Sequence, residues 1–203
     1  MNQVIDSVFR ILILLFSIIV HEVSHGATAY ALGDDTAKNE GRLTLNPLPH
    51  IDPVGTILLP LFIGFGWAKP VPYNPYNLRN QKWGPFLVGI AGPASNIIIA
   101  VIFGLLFRFS DIFSLPEKFL TIIASITILN LGLALFNLIP IPPLDGSKIF
   151  SLLLPEKEAN TYMSLGSVGF MILFFLLMFP VAGFSLGEVI FSLLTFSEKL
   201  LGL

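Results

Sequence analysis

Long apolar runs separated by short polar stretches dominate the chain. Residues 4–32 are apolar except for Asp6, Arg10 and a polar cluster around His21. A membrane-spanning helix needs roughly 20 mostly apolar residues, so this run predicts one over 4–33, ended by Gly33 and the acids Asp34 and Asp35. Residues 34–83 read differently, with Gly and Pro at short intervals. Their apolar stretch at 54–67 contains Gly55, Pro60, Gly64 and Gly66 and is short for a full crossing. It predicts a re-entrant, β-hairpin-like region at about 40–75, covered by neighbouring helices, because uncovered backbone is not tolerated in lipid. Helices follow at 86–109 and 119–139, the second broken by Pro140, Pro142 and Pro143. Runs at 165–179 and 186–196 predict C-terminal helices within 165–200, the last too short to span upright. The expected fold is an all-α polytopic membrane protein, one domain over 1–203, with about four to six transmembrane or half-spanning helices.

Composition agrees with this pattern. Hydrophobic residues make up 54% of the chain and charged residues 12%, where a soluble domain is about a quarter charged. Mean hydropathy is +0.83. A soluble single domain and a disordered chain are both excluded. The net charge of −2 argues against a nucleic-acid partner. With no cysteine, a metal must be held by His, carboxylate or carbonyl oxygen. The N-terminus lacks the basic cluster and small-residue cleavage site of a signal peptide.

The chemistry is concentrated in His21-Glu22-Val23-Ser24-His25, an H-E-x-x-H pattern. In a helix, residues four apart share a face, so both imidazoles can reach one ion. Glu22 can approach a water beside that ion and act as general base. Ionisable residues within a spanning segment are expensive and functional by default, and two of the three histidines fall here. Two His leave a zinc site one protein ligand short. Asp145, just past the proline break, is the leading candidate, because broken helices at membrane depth line cavities. Glu188 in the last apolar run is its rival. Asp6, Asp34, Asp35 and Asp111 read as ordinary helix-end or loop acids. His50 reads either as an accessory ligand or transition-state stabiliser, or as a loop histidine bonded to Asp52, with the second favoured.

Three motifs together carry a family resemblance: His21-Glu22-Val23-Ser24-His25, then Gly92-Pro93-Ala94-Ser95-Asn96, then Asn137 with Pro140 and Leu144-Asp145-Gly146. The chain resembles the site-2 proteases, intramembrane zinc metalloproteases of family M50, in the minimal form without PDZ or CBS domains. The resemblance implies that His21, His25 and Asp145 hold one Zn2+ and that Glu22 activates water. It also implies that Asn96 and Asn137 bind the substrate strand, Gly92 and Ala94 being read as helix-packing positions. The implied activity is hydrolysis of a peptide bond in or next to a substrate's transmembrane segment. The hairpin-like region at 40–75 is itself read as a strand edge for the unwound substrate.

Topology supplies an internal check. The histidines lie towards the end of the first helix and Asp145 lies past the end of the third predicted spanning helix. An even number of crossings must separate them if they share an ion, which requires 54–67 not to cross. Seven basic residues (Lys38, Arg42, Lys69, Arg79, Lys82, Lys148, Lys157) then fall on one side and three (Arg10, Arg108, Lys118) on the other. By the positive-inside rule the zinc is expected nearer the cytoplasmic face, of the cell membrane in this reading. An ion transporter and a non-catalytic membrane scaffold are the competing classes. The substrate, its trigger and the oligomeric state, self-association included, stay open.

Overall fold

A computed structural model of the chain describes residues 3–58, 68–181, 183 and 185–203. Its long helices are α1 (Gln3–Ala31), α3 (Gly84–Arg108) and α5 (Glu117–Asn137), with the short α2 (Thr36–Asn39) and α4 (Ser110–Phe113) between them. Then come α6 (Asp145–Ser151), α7 (Glu156–Met163), α8 (Gly166–Met178) and α9 (Leu186–Leu201). Among the described residues three helices, α1, α3 and α5, are long and apolar enough to cross a membrane. A bent α7–α8 pair raises the number to four if it counts as one span. The chain is thus a helical integral membrane protein, with the long helices within a few residues of their sequence-predicted bounds.

Helix α3 packs against both α5 and α1, and α9 lies against α5 and α3. The faces turned outward carry Phe16, Ile98, Ile102, Phe174 and Phe191, all exposed. In water that surface would be unfavourable; in a bilayer it is solvated by lipid. The interior is instead unusually polar, with Ser17, His21, His25, Asn96, Thr127, Asn130 and Asp145 all buried.

Between α1 and α3 the structure shows no β-sheet among the described residues, so the hairpin expected at about 40–75 is not seen there. Short turns replace it: Leu48–His50, a π-helical turn at Pro53–Leu58, and Pro75–Asn77. Part of the 54–67 stretch, residues 59–67, lies outside the described residues. The physical reason for the missing ladder is donor supply. Pro47, Pro49, Pro53, Pro70, Pro72 and Pro75 have no N–H to give. Side chains take over the backbone groups that a partner strand would have used. Arg42 donates to the carbonyls of Lys69 and Pro70 at 2.7 and 3.1 Å. Asp52 Oδ1 accepts from Val54 N and Gly55 N at 2.9 and 2.7 Å. One backbone bond, Lys69 N to His50 O at 2.9 Å, ties the two arms of the region.

Asp34, expected to be an ordinary helix-end acid, anchors this region. It is fully buried. Its Oδ1 accepts from Thr36 N, Thr36 Oγ1 and Asn77 Nδ2, and its Oδ2 from Asn74 N at 2.6 Å. Burial alone would raise its pKa, but the bonds from Thr36, Asn77 and Asn74 outweigh it and hold the carboxyl below its usual range. A depressed folded-state pKa stabilises above the unfolded value of about 3.9, and the contribution is lost as pH falls through the folded value. Asp34→Asn removes an ionised acceptor and should cost about 1–3 kcal/mol. Thermal melting in detergent is expected to show that loss near neutral pH and a shallower loss of stability on acidification than wild type.

Candidate metal centre

Ser17, His21 and His25 lie four residues apart along α1 and share the face turned to α3 and α5. The two imidazoles meet edge to face, with ring centroids 4.7 Å apart. Asp145 arrives from α6, which packs against α3. Gly146 makes that approach feasible, because a Cβ there would collide with the carbonyl oxygens of Leu138 and Ile139. The Tyr162 hydroxyl braces the same proline-rich segment by donating to Pro140 O at 2.7 Å.

The result is a triangle of ligand atoms. His21 Nε2 and His25 Nε2 are 3.1 Å apart, and each is 3.0 Å from Asp145 Oδ2. Around a tetrahedral zinc with bonds near 2.0–2.2 Å, neighbouring ligand atoms lie about 3.3 Å apart, so the triangle fits such an ion with little adjustment. His21, His25 and Asp145 form a cluster of metal-ligand type among the described residues; Glu188 is exposed on α9, away from it.

The hydrogen bonds behind the rings decide which atoms carry protons. Asn130 Nδ2 donates to Ile126 O and Ser17 Oγ at 2.8 and 2.9 Å, leaving its Oδ1 to accept from Asn96 Nδ2 at 2.8 Å. Asn96 Oδ1 therefore faces His21 Nδ1, 2.6 Å away, and that nitrogen must donate. His25 Nδ1 likewise faces a pure acceptor, Val88 O, at 2.6 Å. In neutral rings both Nε2 atoms then present lone pairs to each other and to a carboxylate oxygen. Three converging lone pairs repel unless a cation sits among them, and the orientation is that of metal-bound histidines with outer-shell acceptors.

Helix α3 leaves room for the rings at Gly92. A Cβ there would stand 2.5 Å from His25 Nε2 and 2.6 Å from His21 Nε2. Gly92 thus faces the imidazoles as well as the helix interface for which it was expected. Glu22 lines the same cleft as the cluster, together with Asn137, Leu144 and Lys148. Its Oε2 accepts from Val71 N at 2.9 Å, which fixes the carboxylate against the extended segment 69–74. The other candidates fall elsewhere. Asn96 is fully buried behind His21 and does not line the cleft, whereas Asn137 does. His50 is buried in its own turn, where its Nε2 meets Thr44 O at 2.9 Å. The partner is that carbonyl rather than Asp52, whose Oδ1 is taken up by Val54 N and Gly55 N.

Three contributors were not singled out from the sequence: Asn130, Ser17 and Lys148. Asn130 had a readable signal, being an amide in the middle of an apolar run. Asn96→Leu tests the relay. It leaves His21 Nδ1–H and Asn130 Oδ1 unpaired, and loss of such an outer-shell partner typically weakens metal binding about 10–100-fold. Zinc competition with a chelator is expected to show that loss with no substrate present, which a residue acting only on substrate would not produce.

Comparison with known proteins identifies the family. The sequence model of peptidase family M50 matches residues 113–180, the part carrying Asn137 and Asp145. YwhC of Bacillus subtilis (strain 168) is 39% identical over 187 residues, which are 88% of this chain and 84% of that protein. Rip2 of Mycolicibacterium smegmatis is 32% identical over 193 residues, 90% of this chain and 71% of its own. MJ0392 of Methanocaldococcus jannaschii is 27% identical over 77% of this chain and 38% of that protein. Each of the three has the words zinc metalloprotease in its name. No solved structure matches the chain. Since the M50 model matches residues 113–180 and YwhC, a zinc metalloprotease by name, aligns along most of both sequences, this chain belongs to peptidase family M50.

Proposed function

We propose that the protein is an intramembrane zinc metalloprotease in which His21, His25 and Asp145 hold the metal and Glu22 is the general base. The observation that carries this reading is the convergence of two Nε2 atoms and Asp145 Oδ2 within 3.1 Å, with both Nδ1 atoms committed to acceptors. When bound there, zinc lowers the pKa of an adjacent water and polarises a scissile carbonyl. Every other task falls to the chain. Glu22, held by Val71 N–H, takes the water's proton and delivers it to the leaving amine. Asn96 orients His21 from behind. Asn137, on the cleft wall, is the amide suited to bind substrate backbone.

The substrate is a membrane protein whose transmembrane segment unwinds locally, exposing the peptide bond to be cut. Its extended stretch lies in the cleft between segment 69–74 and the segment running from Asn137 to Asp145. A regular ladder along 69–74 is disfavoured, because Lys69 N, Val71 N and Asn74 N are already bonded and Pro70 and Pro72 have no N–H. That strap has few amides left to offer an incoming strand, and its Lys69 and Pro70 carbonyls already accept from Arg42. The two crossings α3 and α5 separate the histidines from Asp145 and bring it back to their side, which supports a single intramembrane domain. The excess of Lys and Arg on the side of the site supports a cytoplasmic-facing cleft in the cell membrane.

Two variants test the assignment. Purified wild-type protein is expected to hold about one zinc, and Asp145→Ala to lose it on mild chelation, as a three-ligand site requires. Glu22→Gln should keep zinc but reduce cleavage of a membrane-protein substrate by at least about 10²–10⁴-fold, the range for a lost general base. Zinc retained in Asp145→Ala, or cleavage retained in Glu22→Gln, would overturn the corresponding role.

A further inference from the structure

Asp145 has two oxygens, and the structure separates their duties. Oδ2 is 3.0 Å from both imidazole nitrogens, while Oδ1 accepts from Lys148 Nζ at 2.9 Å. The ammonium comes from the next turn of the same short helix. Its aliphatic stem lies on α3 at Gly89, where a Cβ would stand 2.8 Å from Lys148 Cβ and 3.1 Å from its Cδ. On the cleft side, Lys148 Nζ sits 5.7 Å from the centroid of the Tyr73 ring, within cation–π range. The side chain is 21% exposed. Among the described residues lining the cleft, Glu22 and Asp145 are the acids and Lys148 is the lysine.

We propose that Lys148 is a positioning residue for the metal ligand, seated on Gly89 and holding Asp145 so that Oδ1 is occupied and Oδ2 alone is aimed between the imidazoles. An unrestrained carboxylate can rotate or offer both oxygens to an ion. A charge-assisted bond to one oxygen removes that freedom before the metal arrives. The inference rests on the reading of Asp145 as a ligand, but it makes a claim of its own about sign. If Lys148 acted only through its charge, a cation beside the site would oppose binding of Zn2+, and removing it would tighten the metal. If Lys148 orders the ligand, removing it weakens the metal.

The test is zinc affinity, measured by competition with a chromogenic chelator on full-length protein in detergent, with helix content and thermal melting followed in parallel. Lys148→Met keeps the stem and removes the charge; it is expected to bind zinc about 10–100-fold more weakly, the usual effect of losing an outer-shell partner. Lys148→Arg retains a cationic donor and should recover most of that loss. Gly89→Ala keeps the lysine but crowds its stem, and is expected to weaken zinc in the same direction. It decides the matter if Lys148→Met fails to fold. Unchanged or tighter zinc in Lys148→Met, or unchanged zinc in Gly89→Ala, overturns the inference. Asp145→Ala runs beside them: if it binds zinc like wild type, the ligand assignment itself has failed. If it loses zinc while Lys148→Met does not weaken it, only the role of Lys148 has.

Discussion

Three lone pairs aimed at one point inside an apolar helical protein are the constraint on which the other features depend. His21 Nε2, His25 Nε2 and Asp145 Oδ2 stand within 3.1 Å of one another. Such an arrangement is unfavourable in itself and becomes favourable when a divalent cation neutralises it. The protein spends much of its scarce polarity on keeping the three atoms there. Asn130, Ser17 and Asn96 form a chain of amides and hydroxyl whose donors and acceptors are matched in order, ending on His21 Nδ1. Since every buried member has a partner, the chain fixes the tautomer of the ring without leaving an orphaned polar group.

Helix α3 acts as the template for this arrangement. Its first half presents Val88 O to His25, Gly89 to the lysine stem, Gly92 to both imidazoles and Asn96 to His21. These positions recur at three- and four-residue spacing, so they form one stripe. The glycines would be unfavourable in an isolated helix. Here the absent side chains are what allow rings and a lysine stem to lie against the backbone. Gly146 does the same for the turn that carries Asp145. Close approach at a few small residues, rather than bulky apolar packing, sets the ligand distances.

The cleft's other wall is built by a different device. Segment 69–74 belongs to no helix or sheet, yet it is held by Arg42 through its carbonyls, by Asp34 through Asn74 N, and by Glu22 through Val71 N. Two of these anchors are buried charged side chains outside the catalytic cluster. The third is the proposed base itself, so the strap that shapes the cleft and the group that moves protons share one hydrogen bond. Local order in the strap and the orientation of Glu22 are therefore coupled by construction.

Much of this was legible in order along the chain. Runs of about 20 apolar residues identify spans because bilayer thickness dictates their length, and α1, α3 and α5 follow them closely. The H-E-x-x-H spacing is equally local: helical geometry alone puts His21 and His25 on one face. Asp145 could be nominated because a carboxylate after a proline break has few other reasons to lie at membrane depth. What the sequence did not disclose depends on neighbours distant in the chain. Asn96 lies behind a histidine 75 residues away rather than on the cleft wall. Asp34 is an anchor because Asn74 and Asn77 return to it. The described part of the region at 40–75 forms turns, with Arg42 and Asp52 from within it and Glu22 and Asp34 from α1 and its end claiming backbone carbonyls and amides. Sequence by itself determined the spans and the paired histidines, because both follow from periodicity and bilayer thickness. Only the tertiary structure decided which oxygen and which nitrogens converge in the cluster of His21, His25 and Asp145, because protons follow partners, and partners are set by which helix packs against which.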